Sequence, residues 1–412
     1  MLTISEEEHI WEFIPISDYN KPTYIFEQTF KTKFPRIMKK ISRSKVEDVF
    51  LTDLDKLKEF PEAKLNRVVS VPDLTEPIKH LDSTLFDWLK AKPTTDDIIF
   101  VINQPYSYTQ EIVTNWATKN KIPIISKPNN DQILDQSFDF TSQFMKAKSN
   151  VFVIPNFEKF YLRHYNGLTI IRNLFLYLWS NEIKTVICVN SWSWVYLKKV
   201  LEIDSFGVEQ LVLAPFNYTK FEKWFKTLKK DLKFRKIVFR KADDGNYVIE
   251  PNSLTEKDKK GIKIDYNFLK NLTAYSEGIP KIAWTIWRYS LRIEPDDEFY
   301  DKNDDIDENI DPKKLLTTWV IPWERLKLPG KLDDVKRSEL LILQSILLHD
   351  GLDECYLEKI LPLTQSEVML SLNVLKSSNL IKKDKQEWKV TPVSYAYVKK
   401  LLTNYGFFND NF

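Results

Sequence analysis

Residues that could take part in chemistry follow three apolar segments of the chain. The turn N-Q-P-Y-S-Y-T-Q at 103–110 follows I-I-F-V-I, Glu158 comes shortly after V-F-V-I, and Asn190 ends T-V-I-C-V-N. A phosphate-binding turn needs glycines, whose missing Cβ lets successive amide N–H groups surround the anion, and a lysine that offsets its charge. The turn at 103–110 contains neither residue type. We therefore expect no conventional ATP binding at this turn.

The sequence gives no better support for a metal site or for a catalytic nucleophile. The four histidines, His9, His80, His164 and His349, show no i,i+4 pairing, so we expect no zinc site. The two cysteines lie inside apolar runs and match no disulfide framework, which favours a reduced, cytoplasmic setting. We expect no metal ion and no catalytic residue.

The elements that would position these residues alternate between strands and helices. Apolar segments predict five short strands at 97–102, 122–125, Val151–Ile154, 185–189 and Gln210–Leu213. Between them lie predicted helices at 109–120, 132–147, around 168–178, and 192–201. Short buried strands that alternate with helices predict an α/β fold, a parallel five-stranded sheet with helices on both faces. This α/β core is placed at 93–215.

Three further units are predicted after the core. Helices at Tyr218–Leu228, 267–275 and 281–292, with a hairpin of 236–239 and 247–249, form a helical lid at 216–293. An acidic run of low apolar content makes 294–334 a linker. Residues 335–412 carry helices at 338–349, Glu354–Ile360 and from 364, a basic hairpin of 380–383 and 388–390, and a last helix at 394–404, which is the order of a winged-helix domain.

The first part of the chain, 1–92, shows no motif and is treated as an N-terminal accessory region. Its candidate elements are helices at 45–60 and 83–90 and a short strand at 68–71. Pro72 and Pro77 interrupt the segment that follows the candidate strand.

The order of sheet, lid and winged helix resembles AAA+ and STAND-type P-loop ATPases with degenerate Walker motifs, and within them the archaeal origin-recognition group. The resemblance spans about 95–400 and rests on element order. It implies a remnant nucleotide site in which Thr109 stands at the position of the phosphate-binding lysine, with the Tyr108 ring in the phosphate space. It also implies that Glu158 is a remnant Walker B acid, Asn190 a polar sensor and Lys281 the phosphate-sensing cation of the lid.

Each of these residues could equally have a purely structural role. Glu158 is favoured as an exposed glutamate beside Lys159, Asn190 could cap the following helix, and Lys281 could simply open an exposed helix. The combined loss of glycines, lysine and carboxylate indicates a nucleotide site that decayed while its scaffold was retained. No cofactor is expected, and ATP or ADP binding through the remnants stays an alternative.

Two basic segments are candidates for contact with nucleic acid or with a partner. The first lies within 220–241, where aromatic residues alternate with cations that include Lys226, Lys229, Lys230, Lys233, Arg235 and Lys236. The second is the hairpin of the winged helix, with Lys382, Lys383 and Lys385. Phosphate contact and a solvated surface are both compatible with such a pattern.

The overall charge does not decide between these partners, because 60 basic residues nearly balance 58 acidic ones. No secretory signal is expected at the N-terminus, and no apolar run is long enough for a transmembrane segment. The leading hypothesis is a catalytically degenerate AAA+/STAND-like regulatory or assembly subunit that acts on a protein partner or as a homo-oligomer. The alternatives are a nucleotide-binding switch with weak or no hydrolysis and a nucleic-acid-binding protein.

Overall fold

A computed structural model describes residues 9–22, 56–94, 97–147, 149–205, 209–229, 237–251, 263–294, 316–329, 332 and 334–410. The strands are β1 Phe13–Pro15, β2 Lys58–Glu59, β3 Ile98–Asn103, β4 Val151–Ile154, β5 Lys184–Asn190, β6 Gln210–Leu213, β7 Ile237–Lys241, β8 Leu291–Ile293, β9 Leu316–Val320, β10 Ile381–Asp384 and β11 Glu387–Val390. The α-helices are α1 Glu62–Val68, α2 Thr75–Lys90, α3 Thr109–Lys119, α4 Asn130–Leu134, α5 Thr141–Ala147, α6 Thr169–Ser180, α7 Ser191–Leu201, α8 Tyr218–Leu228, α9 Asn267–Ser276, α10 Pro280–Ser290, α11 Arg337–Leu348, α12 Glu354–Ile360, α13 Gln365–Ser377 and α14 Tyr395–Asn404.

The first sheet has five strands in the order β1-β6-β3-β5-β4. The strands β6, β3, β5 and β4 are parallel to their neighbours, whereas β1 pairs antiparallel with β6. Every residue of β3 and of β5 is buried. Because successive side chains of a strand point to opposite faces, both faces of these central strands are covered, as the continuous apolar runs predict.

The prediction of five parallel strands is wrong at one position. Instead of forming a strand, the segment 122–125 contributes one parallel bridge, between Ile124 and Val153. Pro123 lies inside the segment, and a proline has no N–H to donate to a ladder. The fifth strand is β1, which comes from the N-terminal accessory region.

A second sheet, in the order β2-β8-β9-β7, includes the first strand of the predicted hairpin as β7. Here β7 pairs in parallel with β9, and Tyr247 joins Arg240 through a single antiparallel bridge. The strand β9 lies within the predicted linker 294–334, so that boundary is wrong. Residues 295–315, which contain most of the acidic run, are outside the described ranges.

Several predicted helix bounds also differ. The candidate strand at 68–71 is preceded by α1, which ends at Val68, and the helix predicted at 83–90 already begins at Thr75. The helix predicted at 132–147 is two helices, α4 and α5, because Gln136 takes a left-handed conformation with φ of 56° after α4. Of the helix predicted at 45–60, residues 45–55 are outside the described ranges and Lys58–Glu59 is β2.

The lid packs on the end of the first sheet through a glycine turn. Gly278 between α9 and α10 has φ of +78°, and a Cβ there would lie 2.8 Å from the Pro215 Cβ. The Phe216 N–H donates to the Gly278 carbonyl at 2.9 Å. Inside the lid, the Trp287 ring stacks on Phe225 with centroids 5.0 Å apart. This close approach brings the start of α10 to the edge where β3 and β6 end.

The C-terminal region has the predicted order of three helices, a two-stranded hairpin and a final helix. Side chains at Asp353 and Thr364 accept hydrogen bonds from backbone N–H groups at the starts of α12 and α13. The hairpin pairs β10 with β11 from Ile381 opposite Val390 to Asp384 opposite Glu387. Among the described residues, no helix is both long enough and apolar enough to cross a bilayer.

Candidate functional site at the carboxyl edge of the first sheet

The residues predicted to form a site gather where β3, β4 and β5 end. Asn103 and Asn190 are register partners at the ends of β3 and β5. The chain leaves β3 toward α3 and returns as β4, while β6 lies on the other side of β3. In open α/β sheets, ligands bind outside the carboxyl ends of the strands where the order switches direction. A nucleotide would therefore lie beside the turn at 104–108.

This turn adopts a left-handed backbone without glycine. Tyr106 has φ of 69° and Tyr108 has φ of 67°. Each such residue costs about 1–2 kcal/mol for a side chain that carries a Cβ. Hydrogen bonds within the turn support it: Ser107 Oγ donates to Asn103 Oδ1 at 3.1 Å, and the Ser107 N–H donates to the Gln104 carbonyl at 3.0 Å.

Tyr106 connects the turn to the C-terminal region. Its hydroxyl donates to the Val390 carbonyl at the end of β11, and its ring meets Tyr395 edge to face with centroids 5.8 Å apart. Burial raises the pKa of Tyr106, so the hydroxyl remains a donor across the physiological range. The Tyr106 carbonyl accepts from the Lys281 N–H at 3.1 Å, which also joins the turn to α10.

Tyr108 and Thr109 leave little capacity for a phosphate. Tyr108 is 9% exposed, and its ring packs edge to face with Trp11. Thr109 is fully buried, and its hydroxyl lies 2.8 Å from Ser107 Oγ. The Lys281 ammonium sits 5.1 Å from the centre of the Tyr108 ring and 3.3 Å from Glu111. The one predicted cation of the site is thus engaged by an aromatic face and a carboxylate.

Glu158 is buried, at 1% exposure, so its interpretation as an exposed glutamate is wrong. Its Oε2 accepts from the Asn190 N–H at 3.1 Å, and its Oε1 has no hydrogen-bond partner among the described residues. Burial, with a smaller contribution from Asp350, raises the pKa of Glu158 to about 7. A large share of this carboxyl is therefore neutral near pH 7, which makes it a poor magnesium ligand.

Asn190 caps α7, which is the structural role that the sequence predicts for it. Its Oδ1 accepts from the Trp192 N–H at 2.9 Å. Its Nδ2 donates to the Leu347 carbonyl in α11 at 2.9 Å. The oxygen of this amide is therefore engaged by α7 and its nitrogen by α11.

The C-terminal region closes the edge of the sheet through further polar contacts. Lys159 donates to the Gly351 carbonyl at 2.9 Å and to Glu387 at 2.9 Å. The Arg163 N–H donates to His349 Nε2 at 3.3 Å. Burial lowers the pKa of His349 to about 3, which keeps the ring neutral and able to accept this hydrogen bond. These contacts, together with Ser193 donating to the Leu348 carbonyl, hold α11 against the strand ends.

Little open space remains between these groups. A cavity of about 10 Å³ lies among Tyr106, Asn190, Leu347, Asp350 and Lys389. That volume holds about one water molecule. Pockets for nucleotide-sized ligands measure roughly 300–1,000 Å³. Among the described residues at this edge, the cavity is therefore far too small for a nucleotide.

The sequence did not point to the residues that close the site. Tyr106, Lys159 and Ser193 are ordinary in type and spacing, and their partners lie 284, 228 and 155 positions away. The sequence does not predict the positive φ values of Tyr106 and Tyr108 either, because tyrosine rarely adopts them. The one available signal was Asn190, whose amide side chain precedes a helix.

The predicted contact surfaces are only partly described. Lys226 forms ion pairs with Glu222 at 3.0 Å and Glu250 at 3.6 Å, and Lys229 donates to the Ile237 carbonyl at 2.9 Å. The other predicted residues of this segment, Lys230, Lys233, Arg235 and Lys236, lie outside the described ranges. On the hairpin, Lys382, Lys383 and Lys385 are exposed. No group of three or more His, Cys, Asp or Glu side chains suited to a metal occurs in the described part of the chain.

Comparisons with known proteins add little to this geometry. No protein-family model matches the sequence, and no curated protein matches it. The solved structure of the RuvB Holliday junction branch migration motor of Thermotoga maritima aligns over 79% of this chain and 94% of its own, with 13% identity and a TM-score of 0.30. The Walker-type ATPase PABY2304 of Pyrococcus abyssi aligns over 80% and 96%, with 11% identity and a TM-score of 0.32. Similarities this weak carry no argument about the chain.

Proposed function

We propose that the chain is a catalytically degenerate subunit of the AAA+/STAND type that regulates or assembles other proteins without hydrolysing nucleotide. The observation that carries the proposal is the closed carboxyl edge of the first sheet. We infer that the turn of Tyr106 and Tyr108 and the docked helix α11 fill the space in which a phosphate would otherwise lie. A chain that keeps the α/β scaffold while its own side chains fill the nucleotide site still presents its surface to a partner protein or to a second copy.

The chemistry of the edge supports the same conclusion. Hydrolysis requires a cation on the transferred phosphate and a carboxylate that holds magnesium or orients water. Here Lys281 is paired with Glu111, and the buried carboxyl of Glu158 has a pKa raised to about 7. Both observations support a chain that does not hydrolyse nucleotide.

The C-terminal region, read as a winged helix, favours a protein partner over DNA. The third helix of such a domain reads base edges with basic and amide groups. On α13 the exposed side chains include Leu370, Met369 and Val374, which are 67%, 48% and 39% exposed. Exposed apolar side chains grouped on one helix are typical of protein interfaces. The lysines of the hairpin favour an acidic partner surface.

Ligand-induced stabilisation tests the nucleotide part of the proposal. A ligand that binds only the folded state at a hundred times its Kd adds about 2.7 kcal/mol of stability. We expect no change in melting temperature with millimolar ATP or ADP, with or without magnesium. A reproducible rise that requires magnesium would support the nucleotide switch instead.

A matched pair of surface variants tests the interaction part. Leu370→Glu alters the exposed face of α13, while Leu176→Glu changes an equally exposed leucine, 60% exposed, on α6. We expect proteins from the source cells to co-purify with the wild type and with Leu176→Glu, and to be lost with Leu370→Glu. Equal recovery with both variants would contradict a role for α13. Salt-dependent DNA binding lost on Lys382→Glu with Lys383→Glu would favour the nucleic-acid alternative.

A further inference from the structure

A second cavity lies on the C-terminal region, away from the closed edge. It is a cleft of about 740 Å³ between Arg163 and the start of α11 on one side and the segment that joins α12 to α13 on the other. This volume falls within the range of pockets that bind drug-sized ligands. Its size sets it apart from the 10 Å³ cavity at the strand ends.

The cleft is positively charged. Arg163, Lys336 and Arg337 line it, and all three are exposed. Arg163 Nη1 donates to Gln344 Oε1 at 3.0 Å, which fixes the guanidinium at the mouth. Lys336 and Arg337 form no ion pair with any residue in the described ranges. The first turn of α11 begins at Arg337 and adds the positive end of a helix dipole.

Among the described lining residues, Glu367 supplies one carboxylate, and it is already engaged. Glu367 Oε2 accepts from the N–H and from the hydroxyl of Thr364, both at 2.8 Å. These hydrogen bonds lower the pKa of Glu367, so it is ionised at neutral pH. Among the described residues that line the cleft, three cations face one carboxylate, which leaves a net positive charge.

The opposite wall is apolar. Leu341 lies on α11, Ile360 ends α12, and Leu361, Pro362 and Leu363 lie in the segment between α12 and α13. A free inorganic anion keeps its hydration and gains nothing from such a wall. An extended peptide satisfies both sides, because its carboxylates can meet the cations while an apolar side chain contacts the leucines.

We propose that this cleft binds an acidic peptide segment of a partner protein, in which apolar side chains alternate with carboxylates. The inference rests on the proposed function and names its docking site. Arg163 comes from the α/β core, whereas Lys336, Arg337 and the apolar wall come from the C-terminal region. A bound peptide bridges the two and strengthens the docking of α11 on the strand ends.

Fluorescence anisotropy of the full chain tests the inference. The probe is a short fluorescein-labelled peptide in which Asp and Glu flank two Leu residues. We expect saturable binding that weakens with added salt, because salt screens exposed charges. The variant Lys336→Glu with Arg337→Glu should bind about tenfold more weakly, since two attractive pairs become repulsive. Acidic residues are favoured at the start of a helix, so this variant is expected to fold.

Two matched controls separate this site from general attraction. Lys90→Glu with Lys92→Glu changes the charge by the same amount at two exposed lysines at the end of α2 and should leave the affinity unchanged. A peptide whose two Leu residues are Ser should bind several-fold more weakly, and Leu363→Ser should reduce affinity for the original peptide alone. Equal loss in both charge variants, or equal binding of the Ser peptide, would overturn the proposal.

Two competitors distinguish other ligands. Inorganic phosphate at matched ionic strength is expected to leave the peptide bound, and displacement by phosphate would assign the cleft to a small anion. Displacement by a DNA duplex through Lys336 and Arg337 would assign it to nucleic acid, and either result would overturn the proposal. The nucleotide titration on the same preparation is an independent readout, so failure of the peptide site and failure of the proposed function can be told apart.

Discussion

The buried carboxyl of Glu158 yields a prediction with a definite pH dependence. Its pKa is raised from 4.5 to about 7 in the folded chain. One pKa unit corresponds to 1.36 kcal/mol, so the shift corresponds to about 3 kcal/mol. In the unfolded chain the group ionises near pH 4.5, whereas in the folded chain it ionises near 7. Its contribution to stability is present below about pH 4.5 and is lost as the pH rises to 7.

The variant Glu158→Gln removes this ionisation while keeping the shape of the side chain and the acceptor for the Asn190 N–H. We expect its free energy of unfolding, relative to the wild type, to increase as the pH rises from about 4.5 to 7. The gain should then level off at about 3 kcal/mol above pH 7. His349, with its pKa lowered to about 3, makes the free energy of unfolding rise with pH below about pH 6.5, which is the opposite of the effect of Glu158. This contribution cancels from the difference between the two proteins, because both contain His349.

Urea denaturation followed by tryptophan fluorescence at a series of pH values measures this difference. Glu111→Gln is a control, because Glu111 is exposed and its pair with Lys281 lies at the surface. It should show no comparable rise. Parallel curves for the wild type and Glu158→Gln from about pH 4.5 to 8 would refute the burial of an unpaired carboxyl at this edge.

Three further substitutions test contacts made by the C-terminal region. Tyr106→Phe removes the donor to the Val390 carbonyl, and urea denaturation should show a free energy of unfolding that is lower by about 1–3 kcal/mol. An unchanged midpoint would argue against this contact. Lys399→Ala leaves the buried Asp410 without its ion pair with Lys399 and should cost about 3–5 kcal/mol, whereas Lys376→Ala, at an exposed lysine of α13, should have little effect. Equal midpoints would contradict the pairing. Lys159→Met removes the hydrogen bonds to Glu387 and to the Gly351 carbonyl and should accelerate limited proteolysis between the α/β core and α11. An unchanged cleavage rate would show that the docking of α11 on the strand ends does not depend on Lys159.

The central strands could be predicted because they are buried on both faces. The continuous apolar runs of β3 and β5 are typical of strands covered by helices on both sides, and the polar residues at their ends fix where they stop. The cap at Asn190 was equally accessible, since its acceptor lies two residues from the N–H it binds. Local sequence determines both features.

The strands that were missed depend on distant partners. β1 is three residues long, and β9 follows an acidic run that is typical of a linker. Neither segment has a sequence pattern that would distinguish it as a strand from the residues around it. Each becomes a strand by pairing across the chain, β1 with β6 and β9 with β7 and β8.

The state of the candidate site depends on similar distant contacts. Glu158 beside Lys159 has the pattern of an exposed pair, yet Glu158 is buried and Lys159 is partly buried, with hydrogen bonds to the Gly351 carbonyl and to Glu387. The turn of Tyr106 and Tyr108 could be recognised as lacking glycine and lysine. Its left-handed backbone and its link to Val390 arise from tertiary packing that no local pattern contains.

The nucleotide content of the purified protein tests the central claim most directly. The protein is denatured, and released nucleotides are quantified by chromatography against a parallel sample of a nucleotide-binding ATPase. A closed carboxyl edge predicts no bound ATP or ADP above background, whether or not magnesium is present during purification. Near-stoichiometric ATP or ADP would contradict the account, because it would require the turn at 104–108 and helix α11 to open.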